Sequence, residues 1–540
     1  MGTAVNETTD ILGRGRQAHG AQDWTTAAAH FDAVAVERLS ADDLAAYADA
    51  VWWLGRADDA LRLEAAACEA FVAGSRPAEA AWAAMRVGIF RLGRGDEPQG
   101  MGWISRAGRL LKGVPECRAH AFLLQLTALE PSLQAGRPGE AVDAARRIQD
   151  VGRRLGQPDV VAMGLNGEGR ALIRSGQVVD GLRLLDEAMV TVLDGRIAPF
   201  AAGSLYCHTI ASCHEIADID RMSRWVDLTE RWLATLPAAV LFGGLCAVHR
   251  AQLDLIRGAW REAEQKALQV AAALDVNRID YAAEAWYVVA EARRLRGEPT
   301  AADAYDEARA RGRDPQPGRA LLQLRTGDAE GAAASVRAAA AAAGADPLRR
   351  AQLCAAAVEI AIAAGRLGDA AAGAAELEAT ASRYTTSGLV AMAATARGAV
   401  LLAEGRAGEA LRALRDGSRR WHELGAVYDA AGTCALLAKA YRALGDEVSA
   451  AAEATHAEAL YEQLGAHRPA PRPPAGLSRR ECEVLALVAD GRSNRQIGET
   501  LFISDRTVAR HLTNIFHKID VTSRTQAARY AVDHGLTVTR

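Results

Sequence analysis

The stretch AAGRLGDA at residues 363–370 recurs as AEGRAGEA at 403–410 and again as ALGDEVSA at 443–450. Each copy closes an apolar run with a glycine and opens the next run with an acidic residue and an alanine. A glycine just past a helix end adopts the left-handed C′ conformation without steric cost, and an acidic side chain is favoured at the positive end of the next helix dipole. The stretch therefore predicts a tight turn between two helices.

This turn recurs along most of the chain. Gly365, Gly405 and Gly445 are 40 residues apart, and so are Gly136 and Gly176. Between turns the apolar residues follow a period of 3.6, as in 427–444, without β-branched alternation. We therefore expect helical hairpins that stack because none can bury its apolar face alone. Looser copies of the turn lie around Gly55, Gly93, Gly176, Gly258, Gly297 and Gly327, at HGAQDW (19–24), and at ADIDRM (217–222), which has no glycine.

The quoted turns resemble the GDYEEA-type turn of the tetratricopeptide-repeat superfamily. The period near 40 departs from the 34 residues of that family and implies longer helices. The resemblance implies an all-α fold, in which residues 1–466 form an αα-hairpin solenoid of about 11–12 helix pairs with a concave binding surface. An irregular helical bundle is the alternative fold, because only half of the repeat units match the turn pattern clearly.

The composition is that of a soluble globular protein. Of 540 residues, 50% are hydrophobic and 24% are charged, and no stretch of about 18 apolar residues lacks a charge. Residues 1–16 show no basic start followed by an apolar run. We therefore expect a cytoplasmic, nucleoid-associated protein with no membrane partner. The eight cysteines form no CxxC pair and are too few for a disulfide scaffold, which predicts reduced, buried thiols.

The net charge of −4 is unevenly distributed. Residues 465–540 contain 12 Lys and Arg against 7 Asp and Glu, so this segment is basic while the rest of the chain is acidic. A basic tail on an acidic body suggests a polyanionic partner. The segment HRPAPRPPAG at 467–476 has four prolines and predicts a semi-rigid linker between 1–466 and a second domain at 477–540.

The second domain contains four signals for helix starts. Ser478 with Glu481, Ser493 with Gln496 and Ser523 with Gln526 have the spacing of a capping box, and Ser504 can cap a further helix. With Gly491 and Gly535 as stop signals, these predict helices near 479–489, 494–501, 505–519 and 524–534. The turn LFIS (501–504) is short, which is typical of a helix-turn-helix whose second helix enters the DNA major groove.

The third of these helices has a polar outward face. The apolar residues of the segment form the inner face of this helix. Its outward face includes Arg506, Arg510, Thr513, Asn514 and His517. Arg and Asn side chains can read guanine or adenine edges through two hydrogen bonds. The pattern therefore points to recognition of double-stranded DNA.

Five stretches resemble the LuxR-type DNA-binding domain: LSRRECEVL (477–485), GRSNRQIG (491–498), ISDRTVARH (503–511), IFHKIDV (515–521) and Arg524. The resemblance covers almost all of 477–536. It implies a bacterial transcriptional regulator that binds DNA as a homodimer, through the last helix (Thr525–Val532), the repeats, or both.

The same resemblance implies roles for individual residues. The residues expected to face the groove are Thr507, Arg510, Thr513 and Asn514, and those expected to position the DNA backbone are Ser493, Asn494, Arg495, Ser504, Lys518 and Arg524. Three departures from the family pattern matter. Ala509 replaces a lysine, for which Arg506 or Arg510 is the expected substitute. Arg495 replaces a lysine and keeps its charge, and Asp520 replaces a glycine. His511 matches an invariant position and is equally well interpreted as a packing residue.

Other kinds of site are not expected. A P-loop needs Gly-Lys-Ser/Thr, and none of the four lysines follows a glycine. No nucleophile–base set is recognisable, so we expect no catalytic residues, no nucleotide site and no cofactor. The sequence pattern most similar to a metal site consists of Cys207, His208, Cys213, His214, Cys246 and His249. We interpret these residues as core or surface residues rather than zinc ligands.

The role of the repeats stays open at this point. They can bind a small effector, bind a protein partner or oligomerise, and we favour control of the DNA-binding domain through effector or partner binding. A different class of function is a helical-repeat interaction scaffold whose C-terminal domain has lost DNA binding. The presence of Ala509 in place of the family's lysine favours this alternative. The aromatic residues Trp52, Trp53, Trp82 and Trp103 either line a groove or fill gaps between stacked helices.

Overall fold

The computed structural model describes residues 2–195, 197–236, 239–277, 279, 281–466, 477–533 and 536. The chain divides into two compact units, Met1–His467 and Arg468–Arg540. Every regular element in the described residues is helical, which confirms the expected all-α fold. Within these ranges no helix combines the length and apolarity needed to cross a bilayer. The proline-rich segment 467–476 lies outside the described residues.

The helices of the first unit are α1 (Gly2–Gly20), α2 (Trp24–Asp32), α3 (Ala41–Trp53), α4 (Ala57–Ala73), α5 (Pro77–Leu92), α6 (Glu97–Leu110), α7 (Arg118–Leu124), α8 (Glu130–Gln134), α9 (Pro138–Leu155), α10 (Pro158–Arg174), α11 (Val178–Leu193), α12 (Pro199–Glu215), α13 (Ile219–Leu233), α14 (Val240–Ile256), α15 (Trp260–Val276), α16 (Ala282–Arg296), α17 (Ala301–Ala310), α18 (Gly318–Arg325), α19 (Ala329–Ala342), α20 (Pro347–Ala363), α21 (Leu367–Tyr384), α22 (Ser387–Ala403), α23 (Ala407–Leu424), α24 (Val427–Ala443) and α25 (Glu447–Leu464). A 3₁₀ turn (Val36–Arg38) follows α2, and a π-helical turn (Gln125–Leu129) joins α7 to α8.

These helices form consecutive hairpin pairs, which we number from the N-terminus. Pair 1 is α1 with α2, pair 4 is the interrupted helix α7–α8 with α9, and pair 12 is α24 with α25. Among the described residues there are twelve pairs, in agreement with the expected 11–12. The solenoid predicted from the repeated turn is therefore confirmed.

Most of the quoted glycine turns have the predicted geometry. Gly365 and Gly405 have φ values of 73° and 78°, in the left-handed region that glycine tolerates best. In the turn around Gly93, Gly93 has a φ of −66° and follows the end of α5, and Gly95, two residues later, takes the left-handed conformation at 71°. In ADIDRM the left-handed residue is Ala217 itself, at a φ of 53°.

The solenoid winds tightly enough for some pairs to approach the fifth pair after them. The Trp52 ring of pair 2 lies 5.2 Å from the Phe242 ring of pair 7, edge to face. The Tyr384 hydroxyl of pair 10 donates a hydrogen bond of 3.1 Å to the Arg174 carbonyl of pair 5. Contacts between successive turns of the winding therefore add to those between neighbouring pairs.

Aromatic side chains fill much of the space between these turns. Trp52 and Trp53 are 7% and 1% exposed, and both contact Phe242. Trp82 is half-buried and packs edge-on against Phe122 at 4.5 Å. Gap filling is thus the role of Trp52 and Trp53, whereas Trp82 also lines a cavity described below.

The second unit consists of α26 (Arg479–Ala489), α27 (Asn494–Leu501), α28 (Asp505–Lys518) and α29 (Arg524–Asp533). Each helix begins at the predicted residue and ends within one residue of the predicted end. Its buried core is formed by Leu477, Val484, Leu485, Leu487, Val488, Ile497, Val508, Leu512, Ile515, Ile519, Ala527 and Ala531.

Candidate nucleic-acid interface

Serine side chains begin α26, α27 and α28. The Ser478 and Ser493 hydroxyls accept hydrogen bonds from the backbone N–H groups three residues on, and Glu481 and Gln496 accept from the serine N–H groups in return. Ser504 Oγ accepts a 3.1 Å hydrogen bond from the Thr507 N–H. Such caps contribute about 1 kcal/mol each to the stability of a helix. Local chemistry therefore fixes where each helix starts.

The turn between α27 and α28 has the compact geometry of a helix-turn-helix. Phe502 lies in the left-handed region, with φ at 56°, and the Ile503 N–H donates a 2.9 Å hydrogen bond to the Gly498 carbonyl. Phe502 is 95% exposed, so its ring contributes little to the core. The turn sets α28 across α27 with the capped N-terminus of α28 at the surface.

One side of α28 packs into the core and the opposite side faces solvent. Val508, Leu512 and Ile515 are buried. Asp505 and Lys518 are exposed at the two ends of the helix, and between them the exposed residues are Arg506, Ala509, Arg510, Thr513, Asn514 and His517. At about 100° per residue, all of these except Ala509 lie within an arc of about 100°, and Ala509 sits at its edge. We call these six residues the α28 stripe.

The two arginines of the stripe are available for a ligand. Neither Arg506 nor Arg510 makes an ion pair or a side-chain hydrogen bond with any residue that the structure describes. The Thr513 hydroxyl donates back to the Ala509 carbonyl at 3.2 Å. Thr507 and His511 are half-buried at the border of the stripe. The stripe thus presents guanidinium groups, an amide and a hydroxyl on one ridge.

Other predicted site residues brace the domain from within. The Lys518 ammonium donates to Glu481 Oε2 at 2.7 Å, which links the end of α28 to the start of α26. The Arg524 guanidinium donates to Asn494 Oδ1 at 2.8 Å and also to the Arg492 carbonyl, which links α29 to the start of α27. The structure thus gives Lys518, Arg524 and Asn494 a structural contact each, and their contact with DNA stays a prediction.

Ser493 and Arg495 lie at the exposed N-terminus of α27. The Arg495 side chain is 87% exposed and makes a 3.2 Å ion pair with Glu499 one turn later. Exposed ion pairs of this kind contribute less than about 1 kcal/mol and exchange readily for a phosphate. The start of α27 therefore offers a positive helix end, a hydroxyl and an arginine to a polyanion.

Glu481 is a structurally important residue that sequence reasoning recognised only as a cap. Burial raises the pKa of this carboxyl, but hydrogen bonds from Lys518 and from Ser478 outweigh burial and hold the pKa below its usual value. The capping-box spacing located Glu481, but nothing in the sequence indicates its pairing with Lys518, 37 residues away.

The cysteine–histidine cluster considered in the sequence is brought together only in part. Cys207 lies near Cys246 and His249, which lower the pKa of its thiol, whereas Cys213 is fully buried in the core. Another group, His422, Cys434 and His456, converges in the last repeats and was missed. These residues come from three helices, and no local spacing marks them.

Comparison with known proteins identifies the second unit. Residues 475–531 match the family described as "Bacterial regulatory proteins, luxR family". The transcriptional regulatory proteins LiaR of Bacillus subtilis (strain 168) and DegU of Brevibacillus brevis are each 54% identical over 59 residues, which is 11% of this chain and 28% and 25% of those proteins. The response regulator VraR of Staphylococcus aureus (strain Mu3 / ATCC 700698) is 45% identical over 60 residues, 11% of this chain and 29% of VraR. The chain thus spans less than a third of the length of these relatives.

Two solved helical structures have weaker likenesses. A Rap protein complexed with competence and sporulation factor has a TM-score of 0.47 at 12% identity, covering 64% of this chain and 99% of that one. The APC/C hetero-tetramer Cut9–Hcn1 has a TM-score of 0.44 at 13% identity, covering 86% and 98%. The description of the repeats therefore depends on the helices themselves. The match at 475–531, together with the helix-turn-helix geometry, shows that the second unit of this chain carries a luxR-family DNA-binding domain.

Proposed function

We propose that this protein is a transcriptional regulator that binds double-stranded DNA by placing α28 in the major groove. The observation that carries the proposal is the α28 stripe, where Arg506 and Arg510 lack an ion-pair partner among the described residues, within a domain whose relatives are transcriptional regulatory proteins. Such a protein acts on chromosomal DNA, in the cytoplasm at the nucleoid.

Within this proposal the predicted residues divide into two groups. Arg510 and Asn514 offer the two-pronged hydrogen bonding that reads base edges, with Thr507, Thr513 and Arg506 beside them. Ser493, Arg495 and Ser504, at exposed helix starts, hold phosphates and fix the register of α28. The half-buried position of His511 supports a packing role next to the groove-facing residues.

Dimer formation through α29 is part of the proposal. One module makes few phosphate contacts, so two modules on two half-sites are the expected route to useful affinity. Val532, at the end of the predicted dimer segment Thr525–Val532 of α29, is an apolar residue that is 59% exposed. A second copy of α29 packed on Val532 would cover it.

We further propose that the repeats bind an effector that controls the DNA-binding domain. Pairs 1 to 4 line an open cavity of about 660 Å³ with an apolar wall that includes Phe71 and Trp82. Two arginines at this cavity have buried N–H groups without a hydrogen-bond acceptor in the described chain, namely Arg86 Nη2 and Arg118 Nε. An effector with an apolar body and a carboxylate or amide oxygen suits these donors.

DNA binding is tested with the full chain and a duplex from upstream of its own gene, in gel shifts or fluorescence anisotropy over a series of salt concentrations. We expect a steep linear fall of log affinity with log salt. Arg510→Ala should weaken binding by about 1–3 kcal/mol and relax the sequence preference, whereas Arg495→Ala should weaken all sequences alike. Arg442→Ala, an exposed arginine of the first unit, is the control.

The alternative scaffold function makes the opposite prediction. A chain whose C-terminal domain has lost DNA binding shows no salt-dependent affinity for any duplex, even at low ionic strength. In that case Arg510→Ala and Arg442→Ala behave alike. Sedimentation of the DNA complex, with Val532→Asp as the variant, tests the dimer separately.

A further inference from the structure

The last two helix pairs bring two histidines and a cysteine from three helices to one point. His422 lies on α23, Cys434 on α24 and His456 on α25, and one ligand atom of each lies within 4.8 Å of the others. Cys434 is buried, and the two histidines are exposed above it. In the part of the chain that the structure describes, this is the one group of three His, Cys, Asp or Glu residues with that convergence.

The separations suit a tetrahedral metal ion. Zinc–sulfur and zinc–nitrogen bonds of about 2.3 and 2.1 Å at a tetrahedral angle place sulfur and nitrogen about 3.6 Å apart. Cys434 Sγ lies 3.9 Å from His456 Nδ1, so a shift of a few tenths of an ångström completes the geometry. The imidazole rings of His422 and His456 are 5.4 Å apart and tilted by 31°, so both can face one ion.

The surroundings of the three residues resemble those of metal ligands. His422 Nδ1 lies 2.7 Å from the Ser418 carbonyl, so the N–H is held there and Nε2 keeps its lone pair. Ligating histidines in proteins commonly make such a hydrogen bond. Glu453, one turn before His456 on α25, lies near Cys434 and is half-buried, outside the group of three whose ligand atoms converge. A carboxylate is thus at hand as a fourth ligand or as a partner of a bound water.

We propose that His422, Cys434 and His456 form a binding site for zinc or a similar divalent transition-metal ion, with Glu453 or water as the fourth ligand. Thiolate and imidazole donors select such ions over Mg²⁺ and Ca²⁺, which prefer oxygen ligands. Because the ligands come from α23, α24 and α25, the bound ion ties pair 11 to pair 12. The site is independent of the DNA-binding function.

The experiment uses the full chain after treatment with a chelator, titrated with Zn²⁺ and, separately, with Co²⁺. We expect one ion per chain, and a Co²⁺ spectrum with thiolate charge-transfer bands and the visible bands of tetrahedral cobalt. His422→Ala and His456→Ala should each weaken binding by more than the roughly 10–100-fold that an outer-shell change costs. Both residues are exposed, so these variants fold even if Cys434→Ser does not.

Matched controls locate the site. His30→Ala removes a histidine from pair 1, and Cys354→Ser replaces another buried thiol, and neither should change the affinity or the cobalt spectrum. Zn²⁺ should raise the melting temperature of the wild type but not that of His422→Ala. Absence of stoichiometric binding overturns the proposal. So does binding that survives His422→Ala and is lost on Cys207→Ser, because the ion then belongs to the other cysteine cluster.

Discussion

The ammonium nitrogen of Lys518, at the C-terminus of α28, lies 2.7 Å from Oε2 of Glu481, in the first turn of α26. The Glu481 side chain is only 6% exposed and also accepts from the Ser478 N–H as half of a capping box. One carboxylate therefore caps α26 and anchors the end of the helix that carries the α28 stripe. Lys518 thus helps to hold the C-terminus of α28 against α26.

Removing the charge of Glu481 should destabilise the second unit. We expect Glu481→Gln to cost about 1–2 kcal/mol, because the largely buried Glu481 carboxylate loses its ion pair with the exposed Lys518 ammonium. The pKa of Glu481 is lowered in the folded state, so its contribution is present above about pH 4.3, its unfolded pKa, and is lost as the pH falls through the folded pKa. Hydrogen exchange of residues 477–533 in the full chain measures both effects.

The matched control for this prediction is Glu483→Gln, which removes the half-exposed partner of Arg480 on the same helix. It should leave exchange in α28 almost unchanged at neutral pH. Equal acid sensitivity of the wild type and Glu481→Gln between pH 5 and 3 would contradict the assigned role.

The helices of the second unit were predictable because their ends are set by local chemistry. Ser493 and Gln496 are three residues apart and satisfy each other's backbone groups without help from the rest of the fold. The glycine turns at Gly365 and Gly405 were predictable for the same reason. Where two glycines lie within three residues, as at Gly93 and Gly95, the sequence does not specify which one takes the left-handed conformation.

Contacts between distant parts of the chain were not predictable. Trp52 meets Phe242 because small rotations between successive pairs add up until pair 7 approaches pair 2, and no local pattern encodes that sum. The convergence of His422 and His456 likewise depends on how α23 and α25 flank α24. Sequence spacing therefore located the elements, whereas the convergence of His422, Cys434 and His456 and the winding of the solenoid needed the structure.

Restoring the lysine that the family pattern has at position 509 should strengthen DNA binding. Ala509 is exposed at the edge of the α28 stripe, so a lysine there needs no repacking. Each added phosphate contact steepens the slope of log affinity against log salt by about 0.9. We expect Ala509→Lys to show this slope change in anisotropy titrations. Ala451→Lys, at an exposed position on α25, is the matched control. An equal gain in affinity from both variants would indicate a nonspecific charge effect.

Asp520 stands where the family pattern has a glycine. Its φ is 52°, in the left-handed region where glycine is free of strain, and its side chain is exposed. Asp520→Gly should therefore stabilise the second unit by about 0.5–1 kcal/mol. Slower hydrogen exchange in α28 and α29 is the measurement. Asp505→Gly, inside the first turn of α28, should have the opposite effect, and a destabilised Asp520→Gly would refute the strain argument.

The cavity of pairs 1 to 4 should make the first unit sensitive to pH. Glu64 is 2% exposed, and burial raises the pKa of its carboxyl to about 7, although Arg86, whose Nε lies 2.5 Å away, opposes this shift and Asp49 reinforces it. The folded chain therefore holds a proton that the unfolded chain releases at about pH 4.3. Stability should fall as the pH rises from about 4.3 to 7 and then level off.

Glu64→Gln should remove that dependence, with a gain on the order of 2–3 kcal/mol at pH 8 and little gain at pH 4. Urea unfolding followed by tryptophan fluorescence measures it selectively, because all ten tryptophans lie between residues 24 and 421, in the first unit. Glu79→Gln removes a half-exposed carboxylate from the same cavity and should leave the pH profile in place. If Glu64→Gln and the wild type keep parallel profiles, the Glu64 carboxyl is ionised throughout, and the cavity holds a permanent negative charge beside Arg86.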